Sequence, residues 1–159
     1  MKKYLIVLLL IVVFATSSVS ASEMRKGFGV GAAIGAPFTF LVSGEYNFGV
    51  ASVGASLGFV QLYPGLGFFN VGVEGAYNFP FTLSDENNNF ILYPSAGGRL
   101  DIQFGAFPVV SIGGVIGLNY LLETVPVKLF AKAIPTFQIS SLSPFYLAMK
   151  GEVGAYWCF

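Results

Sequence analysis

The sequence predicts an all-β protein, an eight-stranded antiparallel up-and-down transmembrane β-barrel, and three observations support this prediction. The 159 residues are 55% hydrophobic but only 10% charged, whereas about 25% of the residues of a soluble domain are charged. Eight segments of alternating hydrophobicity follow the N-terminal region. The charges within these segments lie on one face of each predicted strand.

The N-terminus has the layout of a signal peptide. Lys2 and Lys3 supply a positive region, an apolar run of about a dozen residues follows, and Val19-Ser20-Ala21 is a small-residue cleavage motif. The alternative is a membrane anchor, but a spanning helix needs about 20 consecutive apolar residues. We therefore expect a signal peptide over residues 1–21 and one mature barrel domain over residues 22–159.

The mature chain divides into eight segments of about ten residues or more, separated by turn-like clusters. The segments are Gly27–Ala36, Thr39–Phe48, Ala51–Gln61, Phe68–Phe79, Phe90–Gln103, Val109–Leu121, Pro126–Ile139 and Tyr146–Phe159. A tilted strand needs about 9 to 11 residues to cross a bilayer, and closure removes the strand edges that lipid cannot hydrogen-bond. Charges and the 20 glycines argue against further spanning helices.

Charge placement follows the same alternation. In the last segment Lys150 and Glu152 share one face, opposite Trp157, and the charges of the other segments are sorted in the same way. Because a barrel in lipid turns one face of each strand inward, we predict a charge network in the lumen. Its members are Glu45, Glu74, Arg99, Asp101, Lys128, Lys132, Lys150 and Glu152.

The lumen charges have two possible roles. An eight-stranded barrel has an interior just wide enough for side chains to fill, so we expect the four acidic and four basic residues to pair and plug it. Buried charges are tolerated when paired, although such pairing is weak evidence for added stability. The alternative is a narrow or gated ion path lined by the same residues.

Aromatic residues fall near the two rims of the predicted barrel. The ring at the end that holds the termini consists of Phe28, Phe48, Phe79, Phe90, Tyr120, Trp157 and Phe159. The ring at the other end consists of Phe40, Phe59, Phe69, Phe104, Phe137 and Phe145. Such girdles are typical of membrane interfaces. A soluble β-sandwich with these aromatics in its core is the alternative, but it would put polar faces that carry few charges into water.

Two prolines and one long connection depart from a regular barrel. Pro94 and Pro135 lie inside predicted strands, where each removes a ladder donor, so we expect a bulge or an early strand end at both. With the N-terminus in the periplasm, the longest connection, Pro80–Asn89, is periplasmic and the outer connections are short. Outer-membrane barrels usually have long outer loops, and the inversion argues against an adhesin.

The composition argues against an enzyme. The chain has no histidine, the most frequent general base, and no clustered metal ligands, so we expect no catalytic residue, metal site or cofactor. A paired-carboxylate mechanism at Glu74 and Asp101 stays open, although lumen salt bridges explain both residues. The net charge is zero without a basic block, which argues against nucleic acid. We assign no role to the single cysteine, Cys158.

The alternating strands and the terminal Tyr156-Trp157-Cys158-Phe159 resemble small eight-stranded outer-membrane barrels over the whole mature chain. More narrowly, an uncharacterised family of such proteins known from spirochaetes is similar in its strand patterns to Gly29–Pro37, Gly97–Asp101, Gly117–Tyr120 and Val127–Pro135. The resemblance implies the bacterial outer membrane and its lipid, with Phe159 and Trp157 as the signal read by the barrel-assembly machinery. It implies no activity.

Three function classes remain at this point. The first is a structural or surface-interaction protein of the envelope, which we expect to be monomeric, and the second is a low-conductance channel. The third is a soluble periplasmic ligand carrier, which cell fractionation would distinguish. The sequence identifies no ligand and no surface partner.

Overall fold

The computed structural model describes residues 26–63, 66–80, 83–84, 90–122, 124–141 and 145–159. The predicted signal peptide, residues 1–21, lies outside the described residues. Within the described ranges all regular structure is β-strand. These ranges contain no helix that is long and apolar enough to span a membrane.

The described part of the chain forms nine strands, of which eight are long enough to build a barrel wall. They are β1 (Gly27–Ala36), β2 (Thr39–Asn47), β3 (Ala51–Tyr63), β4 (Leu66–Asn78), β5 (Leu83–Ser84), β6 (Phe90–Phe104), β7 (Val109–Leu122), β8 (Val127–Ser140) and β9 (Tyr146–Cys158). The two-residue β5 pairs only with the start of β6. It lies in the predicted Pro80–Asn89 connection, where we expected no strand.

The eight long strands close into an antiparallel up-and-down barrel, which confirms the predicted all-β fold with eight strands. Each pairs with its neighbours along the chain, β4 pairs with β6, and β1 pairs with β9 to complete the ring. The strand ends agree with the predicted segments to within two residues, because the alternation of side chains and the turn residues define them well.

The alternation of side chains matches the pleat of the sheet. In β2 the buried Thr39, Leu41 and Ser43 alternate with the exposed Phe40 and Val42. The pairing register shifts by about ten residues in one circuit of the ring, a stagger that tilts the strands by roughly 40°. An interior of this size is filled by side chains.

The two prolines do not produce the bulges or early strand ends that we expected. On one edge of β6, Pro94 pairs in register with Leu118. On the other edge the pairing of β6 with β4 stops at Ser95, and Pro94 lies between that pairing and the pairing of β6 with β5. The missing N–H therefore costs little there. At Pro135 the β7–β8 pairing skips two positions and resumes in the same register at Gly113. The described pairings shift register only near the β3–β4 turn.

Aromatic side chains lie on the outer wall near both ends. We call the end that holds Gly27 and Phe159 the terminal end, and the opposite end the distal end. All six residues of the predicted distal ring are exposed. In the terminal ring Phe28, Phe48, Trp157 and Phe159 are exposed, while Phe79, Phe90 and Tyr120 are half-buried.

Candidate functional site

The barrel interior is the candidate site, because the strands bring all eight predicted lumen charges into it. Each charge occupies an inward position of β2, β4, β6, β8 or β9. The side chain of Glu74 is the most accessible of the eight at 12%, and that of Asp101 the least at 1%. Charges buried to this degree need partners inside the protein.

Small residues beside the charges leave room for long side chains. Gly72 is the register partner of Asp101, and Gly113 is the partner of Arg99. A Cβ atom on Gly72 would collide with the Asp101 carboxylate and come within 2.7 Å of Ser56 Oγ. The inward glycines of the sequence therefore set the volume in which the charges meet.

Six of the charges form one connected group, which we call the central charge cluster. Its members are Glu74, Arg99, Asp101, Lys132, Lys150 and Glu152. Lys132 Nζ lies 2.6 Å from Glu74 Oε1, and Lys150 Nζ lies 3.2 Å from Asp101 Oδ2. Three carboxylates and three cations from β4, β6, β8 and β9 give a net charge of zero and connect opposite sides of the wall.

Arg99 is the centre of this cluster, because all three of its guanidinium nitrogens have partners. Nε donates to Asp101 Oδ1 and Nη1 to Glu152 Oε2, both at 2.9 Å. Nη2 donates to Ser56 Oγ at 3.1 Å, and Nη1 also lies 3.7 Å from Glu74 Oε2. A planar guanidinium can serve several carboxylates at once, which an ammonium group does less well.

The other two charges, Glu45 and Lys128, form a separate group that we call the terminal ion pair. Lys128 Nζ donates to Glu45 Oε1 and lies 4.8 Å from the ring centroid of Tyr156, a cation–π distance. The Tyr156 hydroxyl accepts a hydrogen bond from Ser43 at 3.2 Å. Each charge of this pair has a single ionic partner among the described residues.

Apolar side chains close the lumen on both sides of the charges. At the terminal end Ile91, Tyr93 and Leu121 form a buried cluster. At the distal end Phe68 is fully buried, and its ring lies 5.2 Å from that of Phe107 in the β6–β7 connection. A cavity of about 20 Å³ lies among the charges, and one of about 10 Å³ lies at the terminal end beside Tyr93 and Leu121. Each has room for about one water molecule. A continuous water path would require these side chains to move.

The carboxylates considered for catalysis are both engaged in ion pairs. Asp101 accepts from Arg99, Lys150 and the Asn70 amide at 3.1 Å. Glu74 accepts from Lys132. Both carboxylates therefore lie against cations in the lumen, in the contacts expected of lumen salt bridges. In the described residues no three potential metal ligands of the His, Cys, Asp and Glu types come together.

The C-terminal residues follow the predicted alternation. Trp157 and Phe159 are exposed on the outer wall, and the Phe159 backbone N–H donates to the Phe28 carbonyl at 2.7 Å. Cys158 faces inward at the terminal end, where it lines a small cavity together with Lys128 and packs near Tyr156.

Sequence reasoning did not identify the neutral residues that complete the network. Ser56 is uncharged but accepts a hydrogen bond from Arg99. Tyr156 stacks on Phe130 and lies over the ammonium group of the terminal ion pair. Their inward parity was a usable signal, since both lie at the same alternation positions as the charges of neighbouring strands. Knowing that they touch the charges requires the register.

Comparisons of the chain with protein-family models, with curated proteins and with solved structures find no match. The fold and the lumen geometry are therefore the basis for a function.

Proposed function

We propose that the chain is a small integral outer-membrane β-barrel with a plugged lumen and a structural or surface-interaction role in the envelope. The observation that carries this proposal is the inverted distribution of polarity. The outer wall is apolar, and the charges of the strands are paired inside a closed barrel. This is the reverse of a water-soluble barrel, whose outer wall is polar.

The outer wall supports a lipid environment. Ile34, Ile116 and Met149 are exposed by 60%, 65% and 67%, in a band that continues around the barrel with other apolar residues. Soluble monomers rarely expose a contiguous apolar patch above a few hundred Å². A bilayer satisfies such a wall, and a closed barrel leaves few backbone groups that lipid would have to hydrogen-bond.

The export and assembly steps belong to the same proposal. The signal peptide over residues 1–21 would direct the chain out of the cytoplasm, and Phe159 with Trp157 would be recognised by the barrel-assembly machinery. The resemblance to the spirochaete family agrees with this route. We propose a monomer without a cofactor or a nucleic-acid partner. We also propose that it has no enzymatic activity, because the lumen carboxylates are held in ion pairs.

A narrow or gated ion channel is the second candidate function. It is favoured by the polar lining of the middle of the lumen, where the central charge cluster and the terminal ion pair follow one another. The closures at Tyr93 and Phe68 argue against it.

Membrane fractionation tests the proposed location. We expect the protein in the outer-membrane fraction, resistant to extraction by urea and solubilised by detergent, with a folded form that migrates faster on gels before boiling. Deletion of Phe159 should reduce insertion, and truncation of the N-terminus at Ser22 should keep the chain in the cytoplasm. Recovery of the intact chain from the soluble periplasm without detergent would reject the membrane proposal in favour of a soluble carrier.

A further inference from the structure

The barrel wall has a gap at its distal end, beside the start of β9. β1 pairs with β9 only as far as Ala36, which is the register partner of Gly151. Residues Tyr146–Lys150 pair with β8 on one side, and no described strand pairs with their other edge. The β1–β2 hairpin turns at Pro37, so the wall is lower there than on either side. We call the space between Pro37 and Tyr146–Lys150 the notch.

A cavity of about 360 Å³ lies in the notch, within the range of about 300 to 1,000 Å³ that ligand sites occupy. It is lined by Pro37, Gln138, Tyr146, Leu147, Ala148, Met149 and Lys150. Leu147 and Met149 point to the outer wall and are exposed by 62% and 67%. Gln138 and Lys150 occupy inward positions and are buried. The cavity therefore has an apolar side toward lipid and a polar side toward the lumen.

The polar side lacks a partner for a hydrogen-bond donor. Gln138 Nε2 is buried and has no hydrogen-bond partner among the described residues, which costs stability unless an acceptor arrives from outside. Among the described residues that line the cavity, Lys150 is the one that carries a charge. Its ammonium carries three N–H groups, and its ionic contact among the described residues is a single one, to Asp101. With the Gln138 amide turned toward the cavity, an anionic oxygen would satisfy both side chains.

We propose that the notch binds an amphiphile with an anionic head group, held at Gln138 and Lys150, whose alkyl chain lies along Leu147 and Met149 in the membrane. This inference rests on the membrane location proposed above. An extended peptide could also add to the unpaired edge of β9, but backbone pairing gives no use to the buried Gln138 amide. The orphan donor favours the anionic head group.

Titration of the full chain in phosphatidylcholine nanodiscs with radiolabelled oleate tests this. We expect one saturable site per chain, little saturable binding of methyl oleate, which has no charge, and no competition by inorganic phosphate, which has no chain. Competition by phosphatidylglycerol would show that a membrane lipid is the source, and its absence a free fatty acid. Non-saturable partition of oleate, equal binding of methyl oleate, or competition by phosphate would overturn the proposal.

Two variants and a matched control locate the site. Gln138→Leu removes the orphan donor and should weaken oleate binding by about tenfold or more, since hydrogen bonds to charged groups are among the stronger ones. Ala148→Phe fills the cavity and should abolish saturation even if Gln138→Leu folds poorly. Gln103→Leu removes another buried amide, one that does not line the notch cavity, and should bind as the wild type does.

The results separate this inference from the location on which it rests. A chain that inserts into the outer membrane but binds oleate equally well with Leu or Gln at position 138 would overturn only the notch site. A chain recovered as a soluble protein would overturn the membrane location, whatever it binds.

Discussion

The central charge cluster and the terminal ion pair both bury charge in the lumen, but they differ in how many partners each charge has. In the cluster Arg99 serves Asp101, Glu152 and Glu74. In the pair, Glu45 is the single ionic partner of Lys128 among the described residues. Removing Arg99 therefore takes a cation away from three carboxylates, of which Glu152 has no other ionic partner among the described residues. Removing Lys128 takes a cation away from Glu45 alone. We therefore expect the loss of stability on substitution to depend on the number of ionic partners that are lost. It should depend less on the degree of burial, which is similar in both groups.

Arg99→Met should have the largest effect. It removes the cation shared by three buried carboxylates, and breaking even one buried pair costs about 3 to 5 kcal/mol. We expect a loss at or above the upper end of that range, or no folded protein, in urea unfolding of the reconstituted barrel. Lys26→Met, an exposed charge outside the strands, is the control and should change stability by less than about 0.5 kcal/mol.

Lys128→Met should be clearly destabilising but milder, near 3 kcal/mol at the lower end of the same approximate range, because one carboxylate loses its partner. The same urea experiment measures it. A loss equal to that of Arg99→Met would show that the number of shared partners does not govern the response, and would contradict the comparison.

Replacement of the whole terminal ion pair should cost less than breaking it. In the double variant Glu45→Gln with Lys128→Met no charge is left unpaired, and such replacements of buried pairs are often nearly neutral. We expect stability within about 1 kcal/mol of the wild type. A double variant as unstable as Lys128→Met would show that Lys128 acts through its packing on Tyr156 rather than through its charge.

Gly72→Ala should have a smaller effect that is specific to the cluster. The added methyl group would meet the Asp101 carboxylate and Ser56, and overpacking of this kind typically costs about 1 to 3 kcal/mol. Gly75→Ala, three residues along the same strand, meets nothing within 4 Å and should be nearly neutral. Equal stabilities of the two variants in the urea experiment would argue that the lumen has room to spare around Asp101.

Alternation in the sequence was enough to predict the fold and the location of the charges. A period of two defines the strand ends and the inward face, so Glu45 and Lys150 could be placed in the lumen without a structure. The partners could not be predicted. Which carboxylate meets Arg99 depends on the stagger of the whole ring, and a single sequence does not specify a stagger.

Pro94 and the notch show the same limit at the level of the backbone. A proline in a strand was expected to disturb the ladder, but Pro94 falls where its missing N–H has no partner to lose. The short β1–β2 hairpin at Pro37 is visible in the sequence, yet the gap that it leaves beside Tyr146–Lys150 follows only from the register of β1 with β9. Both features depend on which residues of the neighbouring strands pair with each position. The alternation of side chains within one strand does not contain that information.

Conductance of the purified barrel in planar bilayers tests the central claim most directly. With the charges paired and the lumen closed at Tyr93 and Phe68, we predict no steady unitary conductance from the wild-type protein, and none from Lys26→Met. A reproducible unitary conductance that changes when Arg99 or Lys132 is replaced would contradict the plugged lumen and establish the channel instead.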